Sequence, residues 1–519
     1  MKNNAATLEL QDLPQLATAR QLWVDGKLDA ALAQFEAALA AHPQNIKALI
    51  EAARAFGQRH EVAQAEELLA RATDLAGNEA KVLLPIAQAY RVIYRPLAAV
   101  PMLQKLCHDR ETSARAHLEL ALIYEITNQI DQAVAAAREC VTQVPAAAEP
   151  KIVLARLERR AGNIDLAESI LRSLTELRGA HPHLLMEAWG ELSHLLDGRG
   201  DADGAIAAIE QSKAIISRLP QTRKFQLMAG NNNQLLGKVY QGLDQETLRR
   251  WSEIPFESDP RLGGIAQLIG FPRSGTTLLE QALGGHPGLI DAPEFVIFSR
   301  DIFPALYMAA NPPTLTLETL NGFSTAALQT QRRRYVDYME AALGESVNGR
   351  VLLDKNPSQT SLMVGLYRLW PESKFVVALR DPRDVLVSCY LRFFALSDFS
   401  VCFLQWETAC KLYEFEMGIW LRMRELLPPD SWLELRYEDT VDDLPGQTQR
   451  AADFLGLEWT PEMLAYREKN PHKIVNSPTH EAVRKPIYRG AMGRWKKFEK
   501  HIGPYVERLR PLLDALGYS

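Results

Sequence analysis

Residues 265–277 read IAQLIGFPRSGTT, a short apolar run that leads directly into a turn bracketed by glycines. The apolar run predicts a strand, and the LLEQALGG that follows predicts a helix. The turn has the GxxxxGK[ST] spacing of a phosphate-binding loop, from Gly270 to Thr277, but Thr276 occupies the lysine position and Arg273 places a cation inside the loop. Because backbone N–H groups and the helix dipole converge at such a turn, this stretch predicts a phosphate or sulfate site.

Three further apolar runs predict strands in the second half of the chain: VLLDK at 351–355, KFVVALR at 374–380 and WLELRYE at 432–438. Helical patterns follow the first two, which indicates a parallel sheet in a doubly wound α/β layout. Ligands of such sheets bind at the carboxyl ends of the strands. The residues expected there are Lys355, Arg380 and Tyr437, two cations and one aromatic ring.

The segment after Arg380 predicts a second anion site. Asp381 and Pro382 are typical of a helix start, and Ser388 and Arg392, four residues apart, would share one face of that helix. Arg380, Ser388 and Arg392 would then converge on one anion. The sequence therefore predicts a ligand with two separated anionic groups and a planar ring, held without an obvious metal cage.

The first half of the chain is a repeat. Alanines recur every 34 residues and then after a slightly longer step: Ala31, Ala65, Ala99, Ala133, Ala167 and Ala205. Gly26 precedes the first of them by five residues and Pro43 follows it by twelve, which is typical of a turn between two helices and of a helix end. This pattern resembles the tetratricopeptide repeat. It predicts about six helix-turn-helix units over residues 12–217, which either hold a peptide or protein or only stabilise and dimerise the chain.

The rest of the chain divides in two. Residues 218–261 predict a helical cap and linker with a polar break at Asn231–Asn233, and residues 262–519 predict the α/β domain. With 519 residues, of which 47% are hydrophobic and 24% charged, the chain is expected to be globular with more than one domain. The net charge of −6 excludes a globally basic nucleic-acid binder. Five cysteines without a metal-ligand spacing, no signal-like leader and no apolar run of membrane-spanning length predict a cytoplasmic protein.

The second half resembles a known family. FPRSGTTLLEQ and LRDPRDVLVSCY resemble the two nucleotide-binding motifs of sulfotransferases that use 3′-phosphoadenylyl sulfate (PAPS). HPGLIDAPE, LLDKNP, RYE and VRKPIYRGAMGRW extend this resemblance to protein-tyrosine sulfotransferases over about residues 264–497. Together with the repeats, this is similar to a bacterial layout of the family. The implied fold is an all-α tetratricopeptide solenoid followed by an α/β, P-loop-like sulfotransferase domain with a parallel sheet.

The resemblance also implies roles for residues. Glu294 would be the general base, and Lys355 and Arg273 would stabilise the leaving group. A hydroxyl of Thr479, or of Ser477 two residues away, would complete the catalytic set. The PAPS-binding residues would be Arg273, Ser274, Gly275, Thr276 and Thr277 for the 5′-phosphosulfate, Arg380, Ser388 and Arg392 for the 3′-phosphate, Tyr437 for the adenine nucleotide, and Arg494 as a late cation.

The expected activity is transfer of a sulfuryl group from PAPS to a hydroxyl, leaving 3′-phosphoadenosine 5′-phosphate (PAP), with no metal required. Tyrosine in a peptide or protein is the favoured acceptor. An acidic peptide would need a site with a basic lining, which Arg332-Arg333-Arg334 could supply. Pro293, however, stands where the tyrosine enzymes have a second acid, so a small phenol, a sugar or a lipid hydroxyl remains an alternative acceptor. A divergent P-loop kinase and an inactive nucleotide-binding repeat scaffold are the competing functions. The sequence leaves a homodimer open and predicts no nucleic-acid partner and no membrane span.

Overall fold

The computed structural model describes residues 12–465 and 489–519, which form two compact units. One unit contains the described residues up to Asn163 together with Asp337–Glu345. The other contains Ile164–Val336 and the described residues from Ser346 onwards. The sequence-based boundaries at residues 217 and 261 stay predictions.

The first unit is built from paired helices with the predicted period. Its helices are α1 (Pro14–Val24), α2 (Leu28–Ala41), α3 (Ile46–Gln58), α4 (Val62–Ala76), α5 (Ala80–Val92), α6 (Pro96–Leu106), α7 (Ser113–Ile126), α8 (Ile130–Gln143) and α9 (Ala148–Arg160). The periodic alanines are completely buried, from Ala31 in α2 to Ala133 in α8. A methyl side chain lets two helices approach closely, which explains why this position repeats.

The turn inside each helical pair has a left-handed backbone that repeats with the same period. Gly26 has a φ of 76°, and the equivalent His60, Tyr94 and Asn128 have φ values of 65°, 64° and 60°. The prediction that glycine supplies this turn therefore holds for the first copy and for the fifth, where Gly162 has a φ of 91°. In the three copies between them a residue with a side chain adopts the same conformation, at a local cost that the packed pair must offset.

The second unit begins with five helices: α10 (Ile164–Thr175), α11 (Pro182–Gly198), α12 (Ala202–Ser217), α13 (Pro220–Gly242) and α14 (Gln245–Ser252). Ala167 and Ala205, the last two periodic alanines, are again fully buried. The polar break predicted at Asn231–Asn233 is wrong, because α13 continues through it. The Asn232 amide donates to Asp398 Oδ2 at 2.9 Å instead of competing for the helix backbone.

A five-stranded parallel sheet follows. Its strands are β1 (Gly264–Gly270), β2 (Leu289–Pro293), β3 (Val351–Lys355), β4 (Lys374–Leu379) and β5 (Trp432–Arg436), in the spatial order β2-β3-β1-β4-β5. The four predicted strands are confirmed, and β2 was missed. Its sequence, LIDAP, is short and ends in proline, which only an edge strand tolerates well.

Further helices lie between and after the strands in the chain. They are α15 (Thr276–Leu283), α16 (Ala305–Met308), α17 (Leu317–Asn321), α18 (Thr325–Leu343), α19 (Met363–Leu369), α20 (Pro382–Tyr390), α21 (Trp406–Leu426), α22 (Tyr437–Asp442), α23 (Leu444–Phe454) and α24 (Glu499–Leu516). On one face, Leu268 of β1 and Val376 of β4 pack with Leu279 of α15 and Ala451 of α23. Within residues 12–465 and 489–519, every helix falls short of the length and apolar content that crossing a membrane requires.

The strand register brings the ends of β2 and β3 side by side. Pro293 pairs with Lys355, and Lys355 also pairs with Leu268 of β1 on its other side. The residue after Pro293 is Glu294, whose N–H donates to the Lys355 carbonyl at 2.8 Å. The sheet therefore fixes Glu294 and Lys355 as neighbours before their side chains interact.

Candidate active site

The loop between β1 and α15 has the conformation of an anion-binding turn. Arg273 and Gly275 have φ values of 76° and 98°, and α15 begins immediately afterwards at Thr276. A Cβ atom on Gly275 would lie 2.6 Å from Cδ2 of Tyr437, so only glycine fits there. Ser274, Thr276 and Thr277 are each buried to the same degree, with 3% exposed. The loop ends at the N-terminus of α15, where the helix dipole is positive, which makes it suitable for a phosphate or sulfate oxygen.

Arg273 joins the two motifs that the sequence analysis treated as separate anion sites. Its Nε donates to Ser388 Oγ at 2.9 Å, and its carbonyl accepts from Arg380 Nη1 at 3.1 Å. Burial, together with the positive charges of Arg392, Arg380 and Arg494, lowers the pKa of Arg273 to about 9. So many cations near one buried guanidinium are typical of a site for a multiply charged anion.

Arg380 and Tyr437 form one wall of this site. The Arg380 guanidinium carbon lies 4.9 Å from the centre of the Tyr437 ring. Arg380 is only 6% exposed, and its Nε has no hydrogen-bond partner among the described residues. A buried donor of this kind fits an anionic ligand that supplies the missing acceptor. Tyr437 begins α22 directly after β5, at the predicted strand end.

Arg392 lies outside the helix on which it was expected, and both Arg392 and Arg494 contact helix α11. Arg392 does not lie on the helix of Ser388, because α20 ends at Tyr390. Its Nη1 lies 3.3 Å from Nδ1 of His194, and Arg494 forms an ion pair of 2.6 Å with Asp197. Both partners belong to α11, in the last helical pair of the repeat.

Asp384 fixes the segment that carries Arg494. Its two carboxylate oxygens accept the N–H groups of Gly493 and Trp495, each at 2.7 Å. Asp384 also lies 3.8 Å from Arg380. Asp384, His194 and Asp197 were missed by the sequence analysis, because their partners are far away in the chain.

Lys355 stands at the centre of a second group. Its ammonium lies 2.6 Å from Glu294 Oε1 and 3.1 Å from Glu280 Oε2. The Lys355 and Glu280 side chains are fully buried, whereas the Glu294 side chain is 27% exposed. Burial alone would lower the pKa of Lys355, but the two carboxylates outweigh it and raise that pKa. The side chain is therefore a permanent cation at neutral pH.

Glu280 connects the two groups. It lies on α15, the helix whose first turn forms the anion-binding loop, and its carboxylate reaches Lys355. Glu280 could not be predicted as a site residue from the sequence, because a glutamate within LLEQ resembles any solvent-exposed helix residue. Glu294 has a φ of 44°, a conformation that is costly outside glycine and is often found at functional sites.

The structure thus gathers Arg273, Arg380, Ser388 and Tyr437 around the loop, and Glu294 with Lys355 beside it. Thr479 and its alternative Ser477 lie outside the described residues. Groups of three or more His, Cys, Asp or Glu side chains in a metal-binding arrangement are absent from the described part of the chain.

Both halves of the chain are similar to known proteins. Residues 267–461 match the sulfotransferase family, and residues 22–84 match the tetratricopeptide repeat. An uncharacterized protein of Aquifex aeolicus is 28% identical over 250 residues, which are 47% of this chain and 32% of that protein. Protein-tyrosine sulfotransferase A of Caenorhabditis elegans is 24% identical over 259 residues, which are 48% of this chain and 66% of that protein. Protein-tyrosine sulfotransferase 2 of Gallus gallus is 26% identical over 263 residues, which are 48% of this chain and 68% of that protein.

The chain therefore spans about a third of the Aquifex protein and about two thirds of the two animal proteins. Among solved structures, the sulfotransferase domain of the Synechococcus PCC 7002 olefin synthase is 22% identical, with a TM-score of 0.35, over 47% of this chain and 90% of that chain. Both family matches fall within the regions that the sequence analysis assigned to these families. The chain carries a helical tetratricopeptide-repeat region followed by a sulfotransferase domain with a parallel sheet.

Proposed function

We propose that the second domain transfers a sulfuryl group from PAPS to a hydroxyl acceptor, with the phenol of a tyrosine in a peptide or protein as the favoured acceptor. The observation that carries this proposal is the contact of 2.6 Å between Lys355 and Glu294, next to an anion-binding loop that contains Arg273 and is contacted by Arg380. This arrangement provides a base, a buried cation and an anion site together, which sulfuryl transfer requires.

The proposed donor site uses the residues around Arg273. The loop N–H groups with Ser274, Thr276 and Thr277 would bind the 5′-phosphosulfate, and Arg273 would neutralise part of its charge. Arg380, Ser388 and Arg392 would bind the 3′-phosphate. Since Arg273 donates to Ser388, a single hydrogen-bonded network would contact both anionic groups.

Arg494 and Tyr437 would complete that site. Arg494 is held by Asp197 of the last repeat, so the repeat region would help to position the donor. The Tyr437 ring lies against Arg380 and leaves room for the loop only because residue 275 is glycine. These contacts support a planar ring near the loop, as an adenine nucleotide provides.

The proposed reaction is an in-line displacement. Glu294 takes the proton of the acceptor hydroxyl, and the acceptor oxygen forms a bond to sulfur. The bond between sulfur and the bridging phosphate oxygen breaks, and PAP leaves with the electron pair. Lys355 has two tasks, since its ammonium orients the Glu294 carboxylate and supplies positive charge near the leaving oxygen.

Several expectations stay predictions. They are the hydroxyl of Thr479 or Ser477, binding of a peptide or protein by the repeats, a homodimer and a cytoplasmic location. The absence of a metal requirement is also a prediction, and the kinase alternative is tested by supplying ATP with magnesium. Retention of Glu294 and Lys355 in direct contact favours an active enzyme over an inactive scaffold.

The test is turnover of radiolabelled PAPS with tyrosine-containing peptides by the full chain and by Glu294→Gln. We expect the variant to keep its affinity for PAP and to lose activity about 100- to 10,000-fold. Glu257→Gln, a change on an exposed side chain, is the matched control and should behave as wild type. Equal loss of PAP binding and turnover in Glu294→Gln would make Glu294 structural and would contradict the assignment of the base.

A further inference from the structure

A cavity in the second unit is lined by residues that lie close to Glu294 and Lys355 in the chain. It has a volume of about 370 Å³ and is lined by Val296 and Ser358, among others. Val296 follows Glu294 by two residues, and Ser358 follows Lys355 by three. The Asn356 amide donates to the Phe295 carbonyl at 3.1 Å and ties these two segments together. We call this space the acceptor cavity, because two of its lining residues lie within three positions of Glu294 and Lys355 in the chain.

The size and the apolar walls of the acceptor cavity fit an aromatic acceptor. Its lining includes the rings of Phe303, Tyr307 and Phe399 and the side chain of Leu236 from α13. A volume of this order is typical of sites for small ligands or for one side chain with its neighbours. A phenol could enter ring first, with its hydroxyl towards Glu294.

The charge of the acceptor cavity is negative. Among the described residues that line it, the charged side chains are Asp398 and Glu416, and neither a lysine nor an arginine is present. Asp398 is partly exposed, and its Oδ2 accepts from Asn232 at 2.9 Å. Glu416 is 3% exposed, and its Oε2 accepts the Ser361 N–H at 2.8 Å. Burial raises the pKa of Glu416 to about 7.

The arginines expected to bind an acidic peptide are engaged elsewhere. Arg332 is 7% exposed, donates to the Leu369 carbonyl and pairs with Glu372. Arg333 forms an ion pair of 2.6 Å with Glu257. Neither residue lines the acceptor cavity. Arg332 and Arg333 therefore do not supply a basic lining to the acceptor cavity.

We propose that the acceptor cavity selects a phenol with a positive charge beside it, such as a tyrosine next to lysine or arginine, and discriminates against acidic acceptors. This inference rests on the proposed sulfuryl transfer and specifies its substrate class. Asp398 would attract the cation, while the aromatic walls hold the ring. An acidic residue beside the acceptor tyrosine would be repelled by Asp398 and Glu416. The described lining of the cavity contains no lysine or arginine that would offset this repulsion.

Two matched sets of acceptors test the charge preference with the full chain and radiolabelled PAPS. The first set contains three peptides that differ only in the two residues flanking one tyrosine: lysine, glutamine or glutamate. The second set contains tyramine and 3-(4-hydroxyphenyl)propionate, two phenols of similar size and opposite charge. We expect kcat/KM to be about tenfold higher for the lysine peptide than for the glutamine peptide, and lowest for the glutamate peptide. Tyramine should exceed the propionate in the same way.

Variants of the cavity connect this preference to its lining. Asp398→Asn should lower the ratio of kcat/KM for the lysine peptide to kcat/KM for the glutamine peptide by about tenfold, while the affinity for PAP stays unchanged. Asp453→Asn, on an exposed residue of α23 outside the cavity, is the matched control. Ser358 is an exposed residue of the cavity wall, so Ser358→Lys tests the same idea by gain of function and should raise activity with the glutamate peptide.

The outcomes separate this inference from the proposed function. If the protein binds PAP but prefers the glutamate peptide or the propionate, the charge selection alone is overturned. The same holds if Asp398→Asn and Ser358→Lys leave the charge preference unchanged. PAP binding without sulfation of any cationic acceptor would overturn it as well. Failure to bind PAP at all would overturn the proposed sulfuryl transfer. Activity on peptides but not on tyramine would identify the cation source as a peptide, and the reverse would identify it as a small amine.

Discussion

Replacing Lys355 by methionine separates its structural role from its catalytic role. The fully buried ammonium lies 3.1 Å from Glu280, whose side chain is also fully buried. At an effective dielectric constant of about 20, two charges at that distance interact by about 5 kcal/mol. Breaking a buried pair by removing one partner typically costs about 3–5 kcal/mol. We therefore expect Lys355→Met to lose about 3–5 kcal/mol of unfolding free energy, a drop in Tm of the order of 10 °C.

The pH dependence of this loss has a definite sign. Without the ammonium, the Glu280 carboxyl is more easily kept neutral in the folded protein, so its folded pKa rises above its unfolded value. A raised carboxyl pKa destabilises at higher pH, and the penalty decreases as the pH falls towards the unfolded pKa. The stability difference between wild type and Lys355→Met should therefore be largest near neutral pH and shrink under acidic conditions.

The assay is thermal and urea unfolding of the full chain, followed by a signal of the second unit, together with PAPS turnover. The double variant Lys355→Met/Glu280→Gln should recover most of the lost stability, since no buried carboxylate remains on α15, but it should stay inactive. Lys411→Met removes an exposed ion pair with Glu407 and should change stability by less than about 1 kcal/mol. If Lys355→Met is as stable as Lys411→Met, Glu280 is not held as a carboxylate by Lys355, and the reasoning is refuted.

Three further changes test other parts of the site. Gly275→Ala should weaken PAP binding more than tenfold in a calorimetric titration, because φ is 98° and the new Cβ would lie 2.6 Å from the Tyr437 ring. Gly349→Ala is the control for backbone strain alone, since φ there is 75° and nothing lies within 4 Å of the new Cβ. Asp197→Asn removes the ion pair that holds Arg494 and should weaken PAP binding about fivefold with little change in Tm, whereas unchanged affinity would show that the last repeat does not position the donor. Burial raises the pKa of Asp354 from 3.8 to about 7, so the unfolding free energy of the wild type falls as the pH rises between those values. Urea unfolding between pH 4 and pH 7 should therefore show a smaller fall in unfolding free energy for Asp354→Asn than for wild type. Equal slopes of unfolding free energy against pH would contradict this.

The features that could be predicted from the sequence are those with a local cause. The strand-loop-helix unit around Gly275 follows from an apolar run, a glycine with positive φ and a helix start in immediate succession. The repeat helices follow from alanines that must be small at every crossing. Arg380 and Lys355 were placed correctly at strand ends because the rule for parallel sheets depends only on where each strand stops.

The features that could not be predicted depend on contacts between distant segments. Glu280 is a site residue only because Lys355, 75 positions later, is buried against it. Asp197 and Arg494 are separated by almost 300 positions, and nothing near either residue indicates the pair. Asn232 was expected to break a helix because its amide often competes for backbone groups, but Asp398 satisfies it across the acceptor cavity.

The most direct measurement of the central claim is calorimetric titration of the purified full chain with PAP, with ATP and magnesium in a parallel titration. We expect tight binding of PAP at a single site, at least tenfold weaker binding to Arg380→Ala, and much weaker binding of ATP with magnesium. No binding of PAP, or a preference for ATP with magnesium, would contradict a PAPS-dependent transfer and would leave a divergent nucleotide-binding domain attached to a repeat scaffold.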